Sequence, residues 1–461
     1  MVRETTRRTD ADVLIVGAGL AGLYAGRALR RAGLTPLVLE ARDRVGGRVV
    51  NADIGDGRIV EMGGQWLAAG DSLAIRLVAE YGADLFRSYD TGTHLLAVGT
   101  ALRRQRGSIP PLRPHALLEL GLVAGVLTAL SRTVSAARPW RAPLAKRWDA
   151  ETMDRVIDRL AHSAEARAML DAAVSTMFGA PPAGVTVLQA LAYIRIAGSF
   201  AAVGEIDGGI LADRVVGGSA RIADGMAAEL GDLVRLSTPV SALRDTGERV
   251  EITSGDTVFT APRAIVAVPP ALAGDLAFEP ALPPERTLAL RSLPMASVIK
   301  TAAVYDRPFW RERGLSGRTM TLDGPVTATF DNSPPEGSPG VLIAFVPGAR
   351  GREMSALDPE ARRKSVLDAL IRLFGAEAGE PVAYHEHDWN DDPWTRGCYF
   401  GLATPGALTG PLRTLAVPHG NIHWAGSETC FENYGGMEGA LRSGERAARE
   451  VLGAATAACT A

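Results

Sequence analysis

Lysine is nearly absent from this chain. Of 49 basic residues only Lys146, Lys300 and Lys364 are lysines, so arginine carries the ordinary surface charge. Cysteine is equally scarce: Cys398, Cys430 and Cys459 show no CxxC spacing, which argues against a disulfide framework or a cysteine zinc site and fits a reducing, cytoplasmic setting. The seven histidines do not cluster beyond His385 and His387, which share a strand face without a third ligand, so no metal site is expected. An excess of one charge is missing too. With 49 basic against 52 acidic groups the net charge is -3, which gives no electrostatic reason to expect nucleic acid as a partner. Arg103, Arg104 and Arg106 read as a solvated loop. The apolar stretch "ALLELGLVAGVLTAL" at 116–130 holds Glu119 and falls short of a bilayer span, so no membrane segment is expected. Near the N-terminus, Asp10 and Asp12 separate the basic residues from the apolar run, which therefore reads as a folded strand rather than a signal core.

What remains is an ordinary globular composition, 47% hydrophobic and 22% charged, over 461 residues, long enough for two domains. High Ala, Arg and Gly usage suggests a GC-rich bacterial genome. One scarce lysine stands out in "MASVIKTAAVYDRPFW" at 295–310. Period-2 alternation puts Lys300 on the same strand face as Ala296, Val298, Ala302 and Val304. Taken alone, this stretch reads most simply as an edge strand whose lysine deters aggregation.

The N-terminal "DVLIVGAGLAGLYAGRALRRAGLTPLVLEARDRVGGR" carries the clearest chemistry. The apolar run Val13–Val16 reads as a buried parallel strand feeding Gly17, Gly19 and Gly22, then an amphipathic helix. Gly17 permits the tight turn, Gly19 lets backbone amides approach a pyrophosphate, and Gly22 allows close helix packing. The helix N-terminus offers the positive dipole end that phosphates favour. A second strand, "PLVLE", ends at Glu40, suited to an adenosine ribose hydroxyl. Next come Arg42, Gly46, Gly47 and Arg48, then Gly63 and Gly64 in "IVEMGGQWL". Several separate backbone approaches imply a long, rigid cofactor, which favours FAD over a nicotinamide nucleotide.

These motifs continue with "RPWRAPLAKRWDAETM", "DRVVGGSARI", "DWNDDPWTRGCY" and "IHWAGSETCFENYGGMEGALRSGERAAREVL". Together and in this order they resemble the flavin-containing amine oxidases, nearest to the monoamine oxidase branch, over Val13 to about Leu452. The resemblance implies an α/β fold in which a Rossmann-like FAD domain (10–85, 216–290 and 391–455) interleaves with an α+β substrate domain (86–215 and 291–390). It implies an FAD-dependent oxidation of an amine to an imine, which water hydrolyses to aldehyde or ketone while O2 is reduced to hydrogen peroxide. Lys300 matches the family's lysine near the flavin, where a desolvated amine exchanges protons near neutral pH. Tyr399 matches one ring of the aromatic cage flanking the substrate amine. The other ring falls on Gly436, a gap that Tyr434 or Phe431 could fill.

Other matches fall around the cofactor. Gln65 and Trp66 follow the glycine pair, Val240 matches a backbone contact to adenine, and Trp389 reads as either a pocket ring or a core residue. Cys398 is either a thioether attachment point or a small buried filler. Gly426, Ser427 and Glu428 form a turn suited to the ribityl or pyrophosphate groups. Gly436 and Met437 open the last helix, whose amides suit the flavin pyrimidine edge. "AAVGEIDGGILADR" should line a small apolar cavity, favouring a hydrophobic primary or secondary amine. Arg195 or Arg214 could instead clamp an amino acid carboxylate, and Glu205 with Asp207 could receive a polyamine. A flavin-dependent C–C desaturase and a non-catalytic flavoprotein share the nucleotide end. A homodimer is the candidate assembly.

Overall fold

Two sheets of opposite character organise the molecule, and their strands come from alternating parts of the chain. In the computed structural model, which describes residues 6–8 and 11–459, Val13–Val16 is the centre of a five-stranded parallel sheet. The order across it is Val234–Arg235, Pro36–Leu39, Val13–Val16, Arg263–Val266 and Ile422–Trp424. All four residues of the central strand are buried, as a strand covered on both faces requires. Helices Leu20–Arg31 and Met437–Cys459 pack together over this sheet.

The second sheet has seven strands, in the order Ala383–Asp388, Val298–Tyr305, Gly340–Pro347, Ala328–Asp331, Leu315–Thr321, Thr93–Val98 and Ala101–Gln105. Its pairings are antiparallel except that of Leu315–Thr321 with Thr93–Val98. Here the edge-strand reading of Lys300 fails. Val298–Tyr305 is interior, with Lys300 paired to Phe345 on one side and His387 on the other, and all eight of its residues are buried. The alternation itself holds. Val298, Ala302 and Val304 join one apolar cluster, and Ile299, Ala303 and Tyr305 join another on the opposite face.

Between the sheets' contributions lies a helical block, Ala145–Ala150, Met153–Leu160, Ala164–Phe178 and Val187–Ala197. After Thr152 the chain forms two helices rather than one, because Ser163 caps the second, accepting from the amide of Ala166 at 3.3 Å. The short strands Leu85–Arg87 and Asp213–Val215 pair with each other. A correction concerns the stretch at 116–130. The helix is longer than its apolar letters, Pro114–Ser131, with a mean hydropathy of 1.4, and by length and composition it suffices to cross a membrane.

Candidate active site

The ends of the parallel strands converge with the inner face of Val298–Tyr305 on a cavity of about 410 Å³. At one end the turn after Val13–Val16 opens with Gly17 at φ +100°, a value only glycine adopts without strain. A Cβ on Gly19 would meet nothing within 4 Å, so its backbone stands open to the cavity. Gly22 does not line the space. A Cβ there would lie 1.9 Å from the carbonyl of Gly17, so this glycine serves helix-to-turn packing.

Glu40 follows directly on the strand Pro36–Leu39. Its carboxylate accepts from the amide of Ala18 at 2.6 Å and from that of Arg42 at 3.0 Å, which ties the two nucleotide-side turns together. The Arg42 guanidinium donates to Asp392 at 2.6 Å. Val240 lines the same end in the loop before Ala242–Asp245, with Val268, Pro269 and Leu272 opposite. Those three belong to "VPPAL", which composition marks only as a turn; no motif in the sequence singles them out.

Farther along, Gly47, Arg48, Gly63, Gly64, Gln65 and Trp66 form one wall, and Gly426, Ser427, Gly436 and Met437 another. Glu428 is not on the surface of the cavity. It is fully buried behind it and grips Arg48 with both oxygens, at 2.6 and 3.0 Å, while Arg48 also donates to the carbonyl of Tyr399 at 3.0 Å. Glu428 thus fixes an arginine that lines the site.

Lys300, Trp389, Cys398 and Tyr399 close the far end. Trp389 lines it and also donates its indole N–H to the carbonyl of Met62 at 3.1 Å, so it is wall and core residue at once. Burial pushes the Cys398 thiol up to about 12. Lys300 Nζ donates to the carbonyl of Gly63 at 2.9 Å and to the side-chain carbonyl of Gln65. Burial lowers the lysine to about 7; Glu61 opposes that shift, while Arg214 adds to it. A neutral amine has two hydrogens, and these two acceptors take both. Its lone pair is then free to accept a proton near neutral pH.

The aromatic wall is one-sided. Tyr399 faces Phe345 at 6.3 Å between ring centroids, and Trp66 lies 6.0 Å from Phe345. Neither ring proposed to replace a partner at Gly436 reaches the cavity. Tyr434 donates its hydroxyl to the carbonyl of Gly401 at 2.6 Å and stacks on Phe431 at 5.9 Å, inside the helical core. The remaining charged candidates are engaged elsewhere. Arg214 is buried and donates from Nε and Nη2 to one carboxylate oxygen of Glu61, at 3.1 and 3.0 Å, and Arg195 is exposed. Glu205 pairs with Arg318 at 2.9 Å and the exposed Asp207 with Arg87 at 3.1 Å. Among the described residues no group of His, Cys, Asp and Glu is arranged to hold a metal.

A glycine turn at one end, an acid after the second strand, and a continuous open cavity running on to a buried amine fit a dinucleotide as long as FAD. Fold and site together define a flavoprotein oxidoreductase with an interleaved substrate domain. Residues 20–452 match the family model of flavin-containing amine oxidoreductases. The chain is 33% identical over 444 residues to a probable flavin-containing monoamine oxidase A of Dictyostelium discoideum, covering 95% of this chain and 97% of that one. It is 35% identical over 440 residues to a putative flavin-containing monoamine oxidase of Mycobacterium tuberculosis, covering 95% and 96%. Among solved structures, putrescine oxidase bound to putrescine superposes with a TM-score of 0.92 at 34% identity, covering 97% of this chain and 100% of that one. Cyclohexylamine oxidase from Brevibacterium oxydans IH-35A gives 0.90 at 29%, covering 96% and 98%. The chain belongs to the flavin-containing amine oxidoreductase family and is an FAD-dependent amine oxidase.

Proposed function

We propose that the substrate is a hydrophobic primary or secondary monoamine, and that the apolar surroundings of Tyr399 carry this reading. Ile206, Leu211, Phe330 and Phe345 pack with Trp66 and Tyr399 in one cluster. A diamine would need a free carboxylate for its second ammonium, yet Glu205 is held by Arg318 and Asp207 by Arg87. An amino acid would need a free cation, yet Arg214 is committed to Glu61 and Arg195 is exposed. A single amine on an apolar body leaves none of these groups wanting.

Bound FAD supplies the two-electron oxidation of the amine. The chain's own residues bind, orient and handle protons. Gly17, Gly19, Arg48, Gly63 and Gly436 would hold the cofactor along the cavity, and Tyr399 presents a ring face to the amine. Lys300, with both hydrogens engaged, takes a proton from an incoming ammonium or from the water that hydrolyses the imine. Loss of a hydride equivalent from a neutral amine needs no carboxylate base, in keeping with an inner wall that offers none. The buried, unpaired Cys398 and the unpaired Cys430 support a reducing, cytoplasmic setting.

The test is a peroxide-coupled screen of the purified yellow protein against aryl-alkyl amines, polyamines and L-amino acids. The expected result is peroxide from the monoamines with kcat/KM at least roughly tenfold above the other classes. Peroxide from polyamines or amino acids alone would overturn the substrate reading.

A further inference from the structure

Between residues 101 and 147 the chain concentrates features it spreads thinly elsewhere. Glu119 is the only acidic residue in this stretch, in a protein with 52 acidic groups. Leu118 and Ile109, 76% and 68% exposed, are the two most exposed large apolar side chains among the described residues, and Leu102, Leu122 and Leu144 join them.

The helix Pro114–Ser131 explains part of this surface. Its inner face is used: Ala116, Val123 and Leu127 are fully buried, and Glu119 accepts from the amides of His162 and Ser163 at 3.1 and 2.9 Å. Thr128 accepts from the amide of Phe200 at 3.1 Å. Because the helix is apolar all round, turning one side inward leaves Leu118, Gly121, Leu122, Gly125 and Ala129 outside, with nothing covering them. Arg113 precedes this face and Arg132 follows it, both exposed. Arg104, Arg106, Arg138 and Arg141, also exposed, make no ion pair among the described residues.

We propose that this face docks on an anionic bilayer surface, with the leucines entering the headgroup–acyl boundary and the arginines meeting lipid phosphates. The inner-face contacts prevent the helix from leaving the fold to span a membrane, so it lies in the interface plane. Charge decides the occupant. A second copy would bring arginine against arginine, which like-charge repulsion disfavours, whereas anionic lipid satisfies cations and leucines together.

The holoprotein is co-sedimented with phosphatidylcholine vesicles, with and without phosphatidylglycerol, at low and high salt. The double variant Leu118→Gln/Leu122→Gln is run beside it, and both are sized by light scattering. Binding to the anionic vesicles is expected, weakened about tenfold or more by salt or by omission of phosphatidylglycerol. The double variant is expected to lose most of that binding while keeping its flavin absorbance and peroxide production, which shows that it folds. Absent vesicle binding overturns the proposal, as does binding indifferent to lipid charge. A dimer that the double variant splits, without vesicle binding, would assign the face to a second copy instead.

Discussion

Gln65 holds Lys300: its side-chain carbonyl accepts from the lysine Nζ while its amide donates to Asn332 Oδ1 at 2.7 Å, behind the wall of the cavity. This relationship makes a scarce lysine chemically defined rather than merely buried. The Nζ also has Trp66 and Phe345 rings at 5.9 and 5.6 Å, so little water reaches it. Replacing Lys300 by Met keeps the length and apolar stem and removes the base. With the base gone the incoming ammonium keeps its proton, so reduction of the enzyme by amine is expected to slow by about 10²-fold or more, with reoxidation by O2 less affected; stopped-flow measurement of the two half-reactions separates them.

The pH dependence has a definite sign. Lys300 is neutral above about 7, so the step that needs its lone pair rises with pH and levels off above that value, and Lys300→Met flattens the profile. Stability follows the same group. Between about 7 and the ordinary 10.5 the unfolded chain binds a proton that the folded chain lacks, so stability rises with pH across that window. Denaturant melts at several pH values should show this slope in the native protein and lose it in Lys300→Met.

If Gln65 positions the lysine, its substitutions should move that profile in opposite directions. Gln65→Leu removes an acceptor that favours the ammonium form, so the midpoint falls. Gln65→Glu puts a carboxylate beside Nζ, so it rises. A purely structural defect would lower kcat without moving the midpoint, or would move it the same way in both variants.

The pair Arg48–Glu428 is predicted to be a point of fragility. Burial alone would raise the Glu428 carboxyl, but Arg48 and the hydrogen bonds it brings more than offset this and hold it below the usual range. Glu428→Gln leaves Arg48 in the wall without its counter-charge. The expected cost is about 3 kcal/mol of stability, with faster flavin release on dilution, read from denaturant midpoints and flavin fluorescence.

How far the sequence foretold this site depends on the kind of signal. Gly17, Gly19, Glu40 and Gly47 announced themselves because close backbone approach and strand ends constrain residue type directly. Lys300 is legible as an anomaly, but the stretch alone reads as an edge strand, because its partners Phe345 and His387 lie far off in sequence and leave no local trace. Glu428 and Gly22 were identified by position yet act one layer behind the cavity, since a motif gives proximity and not the direction a side chain takes. Val268, Pro269 and Leu272 were missed altogether, because an apolar wall needs only shape and many residues supply it. The apolar letters at 116–130 understate the helix, because Pro114 and Ser131 extend it to a length that by itself would suffice for a bilayer.

Gly436, which lines the same cavity as Tyr399 but carries no side chain, gives the most specific prediction about substrate choice. A Cβ at Gly436 would have Asn433 O as its nearest neighbour at 3.6 Å, ordinary contact, and the backbone there is not in the left-handed region. A side chain can therefore be built without strain at its root. Gly436→Tyr should supply the second ring, narrowing the approach to the amine between two aromatic faces. Small primary amines are expected to keep or improve kcat/KM, while bulky secondary amines lose roughly tenfold or more. A uniform loss across both classes would mean that the position carries the cofactor's backbone contact alone, and the ratio between the two classes is the measurement that decides it.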